Sequence, residues 1–118
     1  MNEEMNPGIG RVKISDEVIA QYAGNAAMEC FGIVGIGAVS ARDGLAKLLK
    51  SDRLSKGVLV KEKDGKLTID FHIIVAYYVS IQAVCENLIE NVTYQVESFT
   101  GLKVEKVNVY VEGVRFIG

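Results

Sequence analysis

Polar and apolar residues alternate from Arg11 to Ile14, which predicts a short strand. Ser15 then stands at an N-cap position, with Asp16 and Glu17 behind it. A hydroxyl there accepts from the orphan amides of a helix start, and the carboxylates suit its positive end. Val18, Ile19, Tyr22, Ala23, Ala26, Ala27 and Cys30 follow at steps of three and four, one apolar stripe on one helical face. Its alanines let this helix lie close to whatever it covers, and Gly32 is the expected stop signal. Ile33 to Ser40 reads as a short strand or extended turn. Leu45, Leu48 and Leu49 predict a second, shorter helix over Arg42 to Ser51, against which Gly44 counts.

The strongest local pattern lies further on. Val58 to Lys63, Asp64-Gly65, and Lys66 onward read as a hairpin with a type I′ turn, because Asp-Gly supplies the positive φ angles such a turn requires. Closure on those two residues sets Lys63 opposite Lys66, Val60 opposite Ile69 and Val58 opposite Phe71. One face then carries Val58, Val60, Leu67, Ile69, Phe71, Ile73, Val75 and Tyr77. The other carries Lys61, Thr68, Asp70 and His72, then turns apolar with Ile74, Ala76 and Tyr78. A slip of one residue would invert all of these, so the register is firmly specified.

Ser80 is the expected cap of the longest helix, whose Ile81, Val84, Cys85, Leu88, Val92, Val96 and Phe99 recur at helical spacing. Glu86, Glu90 and Glu97 cluster on its outer side. Gly101 is the expected left-handed cap. A last strand runs from Lys103 to about Val114, with Val107, Val109 and Val111 on one face and Lys106, Asn108 and Tyr110 on the other. The order β-α-β-(α)-β-β-α-β suits a two-layer α+β sandwich, a mixed sheet with helices packed on one face. The opposite face, with Asp70, His72, Ile74, Tyr78, Asn108 and Tyr110, has no evident third layer. A partly apolar sheet face left open is a candidate association surface.

The chain has 118 residues, which points to a single domain over residues 9–118 behind a disordered tail at 1–8. A formal net charge of −2 gives no general attraction to nucleic acid or anionic membrane. The distribution is uneven: Lys47 to Lys66 holds seven basic residues against three acidic ones, whereas Ser80 to Thr100 holds three glutamates and no Lys or Arg. These are two solvated faces, or opposite patches that meet head to tail on identical subunits. Cys30 and Cys85 lie far apart, which fits a reducing, cytoplasmic setting better than a disulfide framework. The longest apolar runs fall short of the roughly 18 residues a membrane span needs, so direct membrane insertion is not expected.

The chemistry on offer is thin. Cys30 to Val39 reads CFGIVGIGAV, with Gly32, Gly35 and Gly37 in the order GxxGxG. A dinucleotide fingerprint has the reverse order and opens a helix, whereas this segment follows one. Gly32-Ile33-Val34-Gly35 is formally the GxxG of a KH module, which clamps an RNA backbone. Its Ile and Val, and the missing basic stripe, weigh against that use; a KH-like RNA-binding module stands as the alternative reading. Asp70 and His72 share a face and could orient an imidazole for base catalysis, but no nucleophile is placed beside them. One His and two separated Cys give no metal set, and no cofactor is called for.

The ordered motifs resemble the alkaline shock protein, or general stress protein, family of Gram-positive bacteria. They are Ile73-x-Val75-x-Tyr77, the helix ending Val96-Glu97-x-x-Thr100-Gly101-Leu102, and Val107-Asn108-Val109-x-Val111-x-Gly113-Val114. Ser15, Glu17-Val18-Ile19, Gly32-x-x-Gly35 and Gly57-Val58 also fit. Tyr78 departs from the pattern, standing where glycine is expected. The resemblance implies a cytoplasmic, non-enzymatic protein of cell-envelope homeostasis and stress response. It further implies self-association into a homo-oligomer and attachment to the membrane through a separate membrane-spanning protein.

Overall fold

The computed structural model describes residues 12–39, 46–48 and 57–116. The expected tail at 1–8 lies outside them. Helix α1 spans Asp16–Met28, followed by β1 (Ile33–Val39), β2 (Ala46–Leu48), β3 (Val58–Lys63), β4 (Lys66–Ala76), α2 (Ile81–Thr100) and β5 (Lys103–Arg115). Of the predicted strand at Arg11 to Ile14, the described residues 12–14 show a single bridge, at Val12.

Strand β4 is the axis of the sheet. β3 pairs antiparallel with its first half, from Lys63↔Lys66 to Val58↔Phe71, in the register that Asp64-Gly65 predicts. Both turn residues have positive φ, 54° at Asp64 and 77° at Gly65. β1 pairs antiparallel with the second half, from Ile36↔Ile73 to Ile33↔Val75. These two therefore lie end to end along one edge of β4. β5 runs parallel along the whole of the other edge, from Lys66↔Lys103 to Ala76↔Arg115. A parallel neighbour needs a crossover, and α2 supplies it.

The helices cover one face. Leu67, Ile69, Phe71, Ile73 and Val75 of β4 are buried with Ile19, Ala23 and Ala27 of α1 and Val84, Leu88, Val92 and Val96 of α2. Each large side chain so buried contributes about 1.5–3 kcal/mol. Tyr22 and Phe99 stack with ring centroids 4.0 Å apart and planes 2° from parallel, tying α1 to α2. The caps are those the sequence predicts. Ser15 Oγ accepts from the Val18 amide at 3.2 Å and Ser80 Oγ from the Ala83 amide at 3.2 Å. Gly101 closes α2 at φ 75°.

Three expectations are corrected. The helix over Arg42 to Ser51 is replaced, at 46–48, by β2, which pairs antiparallel with β1 through Gly37↔Leu48 and Val39↔Ala46. An unpaired strand edge is a strong template, and it outweighs a weak helical pattern interrupted by Gly44. Helix α1 ends at Met28 with Glu29 as its cap, ahead of Gly32. Tyr77 leaves the apolar face because β4 stops at Ala76; it sits exposed in the following turn.

Gly32 has a different task from stopping the helix. It takes φ 78°, and its carbonyl accepts from the Ala76 amide at 2.8 Å. A Cβ there would lie 2.5 Å from Cγ2 of Val84, whereas at Gly65, also at positive φ, it would meet nothing within 4 Å. Val84 is β-branched and helical, so its rotamer is stiff and cannot move aside. Gly65→Ala is expected to cost about 1–2 kcal/mol from backbone strain alone. Gly32→Ala adds overpacking and is expected to cost roughly 2–4 kcal/mol in urea denaturation. Equal losses at the two positions would mean that α2 is not packed against this turn.

Candidate interaction face

Side chains alternate along β4 and β5, and the face turned from the helices collects Asp70 and His72 from β4 with Asn108, Tyr110 and Glu112 from β5. The parallel register pairs Asp70 with Asn108 and His72 with Tyr110. Asn108 Nδ2 donates to Asp70 Oδ1 at 2.7 Å. The His72 and Tyr110 rings stack at 5.0 Å, 16° from parallel. His72 Nδ1 and Glu112 Oε2 are 2.6 Å apart. The result is a row in which Asp70 meets Asn108, and His72 meets both Glu112 and the Tyr110 ring, across the two strands.

Four of the six residues named from the sequence thus meet in two cross-strand pairs. Glu112 was missed, although its alternation with Asn108 and Tyr110 placed it on their face. What the sequence could not supply was the parallel register and the bulge at Glu112, between Ile73↔Val111 and Ile74↔Gly113. That bulge brings its carboxylate back to His72. The Asp70–His72 couple is therefore corrected: His72 takes Glu112 as its partner, and Asp70 takes Asn108.

Ile74 is also corrected. It is only 1% exposed, and Ala76 is buried with it, so neither forms part of an open apolar face. Both stand outside the cluster beneath the helices. Ile74 is flanked across the sheet by two residues without side chains, Gly35 on β1 and Gly113 on β5.

Tyr78, at the position where the resemblance leads one to expect glycine, lies beyond the end of β4 at φ 71°, the left-handed region. It is 81% exposed. Its ring meets Tyr77 edge-on at 4.6 Å and Phe116 at 5.7 Å, and Tyr77 and Phe116 are 5.9 Å apart. Phe116 completes an exposed aromatic trio that sequence spacing gave no reason to assemble.

The remaining candidates do not converge on the row. Cys30 is buried, with its thiol 3.7 Å from the Ala26 carbonyl and accepting from Asn91 Nδ2 at 3.3 Å. Burial pushes the Cys85 thiol above its ordinary value, which disfavours the thiolate that a nucleophile requires. The Glu97 carboxylate accepts the Val104 amide at 2.9 Å. Among the described residues no three His, Cys, Asp or Glu are grouped to hold a metal ion. A depression of about 370 Å³ beside α2 is lined by Asn87, Glu90, Asn91 and Tyr94, none of them from the row. In the Gly32-to-Gly35 segment, Ile33 is buried and belongs to β1, so this is not a loop joining two helices. Among the described residues no helix is long and apolar enough to cross a membrane.

These features define an α+β protein with helices on one side of a mixed sheet and a self-satisfied polar and aromatic row on the other. The chain belongs to the alkaline shock protein 23 (ASP23) family, described as having a cell envelope-related function, and matches it over residues 4–116. It is 41% identical over 116 residues to the uncharacterized protein YloU of Bacillus subtilis, covering 98% of this chain and 97% of that one. It is 37% identical over 119 residues to the uncharacterized protein Spy1614 of Streptococcus pyogenes, covering 100% and 98%. A second Bacillus subtilis protein, the uncharacterized YqhY, is 32% identical over 108 residues, covering 92% of this chain and 79% of that one. No solved structure matches.

Tyr78 yields a direct test. A bulky residue in the left-handed region costs about 1–2 kcal/mol. Edge-on aromatic contacts are worth about 0.5–1.5 kcal/mol each when buried, and less when exposed as here. Tyr78→Gly is therefore expected to change unfolding stability by less than about 1 kcal/mol. A loss above roughly 2 kcal/mol in urea denaturation would show that the trio holds the turn in place.

Proposed function

We propose that this chain is a non-enzymatic protein of cell-envelope homeostasis and stress response, acting by self-association and by binding partner proteins. One such partner is a membrane-spanning protein that holds it at the membrane from the cytoplasmic side. The observation that carries this reading is the row across β4 and β5. Its polar groups satisfy one another: Asp70 with Asn108, His72 with Glu112, and His72 stacked on Tyr110. A catalytic row would aim its groups at a shared point where a reacting atom could sit. Here they are spent on cross-strand pairs, which stiffen a flat surface suited to docking. The family's cell envelope-related description supports the setting, and the Bacillus and Streptococcus relatives support a Gram-positive one.

Tyr110 is 47% exposed on this row and offers an aromatic surface with a polar tip, a composition favoured at interfaces. Tyr110→Asp is expected to weaken self-association about tenfold or more, read by light scattering over a concentration series, while the circular dichroism of the monomer stays unchanged. Ile74→Asp is expected to unfold the protein instead, because it buries an unpaired carboxylate. A wild-type chain that stays monomeric at high concentration would remove the basis for self-association. The membrane arm has its own readout. The purified chain is expected to stay unbound in vesicle flotation, yet to co-purify with a membrane-spanning protein from detergent-solubilised membranes. Flotation of the chain alone would contradict it.

A further inference from the structure

β5 is an edge strand. Among the described strands it pairs with β4 and no other. Such an edge presents a row of backbone donors and acceptors that can template another strand. The first turn of this edge is closed, since the Val104 amide is taken by the Glu97 carboxylate. Bulges interrupt its register between Val104 and Lys106 and between Val111 and Gly113. Between them, Lys106 to Val111 pairs without interruption against Thr68 to Ile73. The regular stretch of edge is therefore these six residues.

Both faces of that stretch carry side chains with more to bury. On the helix side, Val107, Val109 and Val111 pack against the core yet remain only partly buried. On the other side, Lys106 is exposed at one end, and at the other Glu112, in the second bulge, is half-buried with Oε2 held 2.6 Å from His72 Nδ1. We propose that this edge pairs antiparallel with the same edge of a second copy, about a two-fold axis through Val109. This rests on the self-association proposed above and names the surface that performs it.

The register follows from charge and face. A two-fold axis perpendicular to the sheet keeps each copy's helices on the same side, so opposed residues must share a face. Of the registers that satisfy this, the one centred on Val109 sets Lys106 opposite Glu112 of the second copy, twice by symmetry, where it meets the carboxylate oxygen that His72 does not take. It also sets Val107 opposite Val111 and Val109 opposite itself, which continues the apolar rim across the junction. Centring on Asn108 places Lys106 opposite Tyr110, and centring on Tyr110 places it opposite Val114; neither forms the ion pair. Opposite charges directly across an antiparallel pair are favourable and like charges are unfavourable. Lys103 and Arg115 would be opposed in the chosen register, but they lie beyond the two bulges, where the strands can diverge.

The test is a charge exchange. Lys106→Glu alone sets two glutamates against each other at both ends of the junction, and Glu112→Lys alone sets two lysines. Each variant is expected to dimerise about tenfold or more weakly than wild type in analytical ultracentrifugation. An equimolar mixture is expected to recover association to within about threefold of wild type, because every opposed pair in the mixed dimer is again Lys–Glu. Recovery in the mixture also shows that both variants fold. If wild type associates but the mixture does not recover, the β5 junction is wrong while self-association stands. If wild type itself remains monomeric, both fall together.

Discussion

β4 is hydrogen-bonded along both edges, and every other element takes its place from it. Two antiparallel strands, β1 and β3, share one edge, while one parallel strand, β5, occupies the other. An eleven-residue strand held in this way cannot shift by one position without turning Leu67, Ile69, Phe71, Ile73 and Val75 out of the core. The same constraint fixes the opposite face, so the positions of Asp70 and His72 are consequences of core packing.

The division of labour between the two faces follows. The helix side is dry and apolar, and α2 lies close because the Ala-rich α1 and Gly32 allow it. The other side is held by cross-strand polar pairs and a stacked His72 and Tyr110. Its groups point at one another and gather around no common point. The strand that completes both faces, β5, also ends the sheet among the described strands. A protein whose surface chemistry is already self-satisfied, and whose sheet stops at an edge, is suited to assembly. The family is described by its relation to the cell envelope.

Much of this was legible in the sequence where local chemistry dictates geometry. Asp64-Gly65 permits only a tight hairpin, and its closure fixed the β3–β4 register residue by residue. Ser15, Ser80 and Gly101 announced helix ends because orphan amides and left-handed caps admit few residue types. Non-local facts were not legible. The parallel pairing of β4 with β5 depends on a crossover whose landing site no periodicity encodes, so Glu112 went unpaired in the sequence reading and Asp70 was credited with its place beside His72. Ile74 looked like surface by alternation, yet it is buried: alternation assigns a residue to a face and does not say whether that face is covered. The three residues of β2 looked helical in isolation and became strand only because β1 offered them an edge. Tyr78 is the instructive departure: the family resemblance marked it as a glycine position, and its backbone takes the conformation glycine would take.

The central claim is that, among the described strands, β4 is closed on both sides within one chain, whereas β5 is closed on one side and, as proposed, pairs with a second copy there. Amide hydrogen exchange followed at low and high protein concentration measures this directly. The account predicts that β4 amides are strongly protected at every concentration, and that amides from Lys106 to Val111 gain protection as concentration rises. Protection of that stretch that is independent of concentration would contradict it.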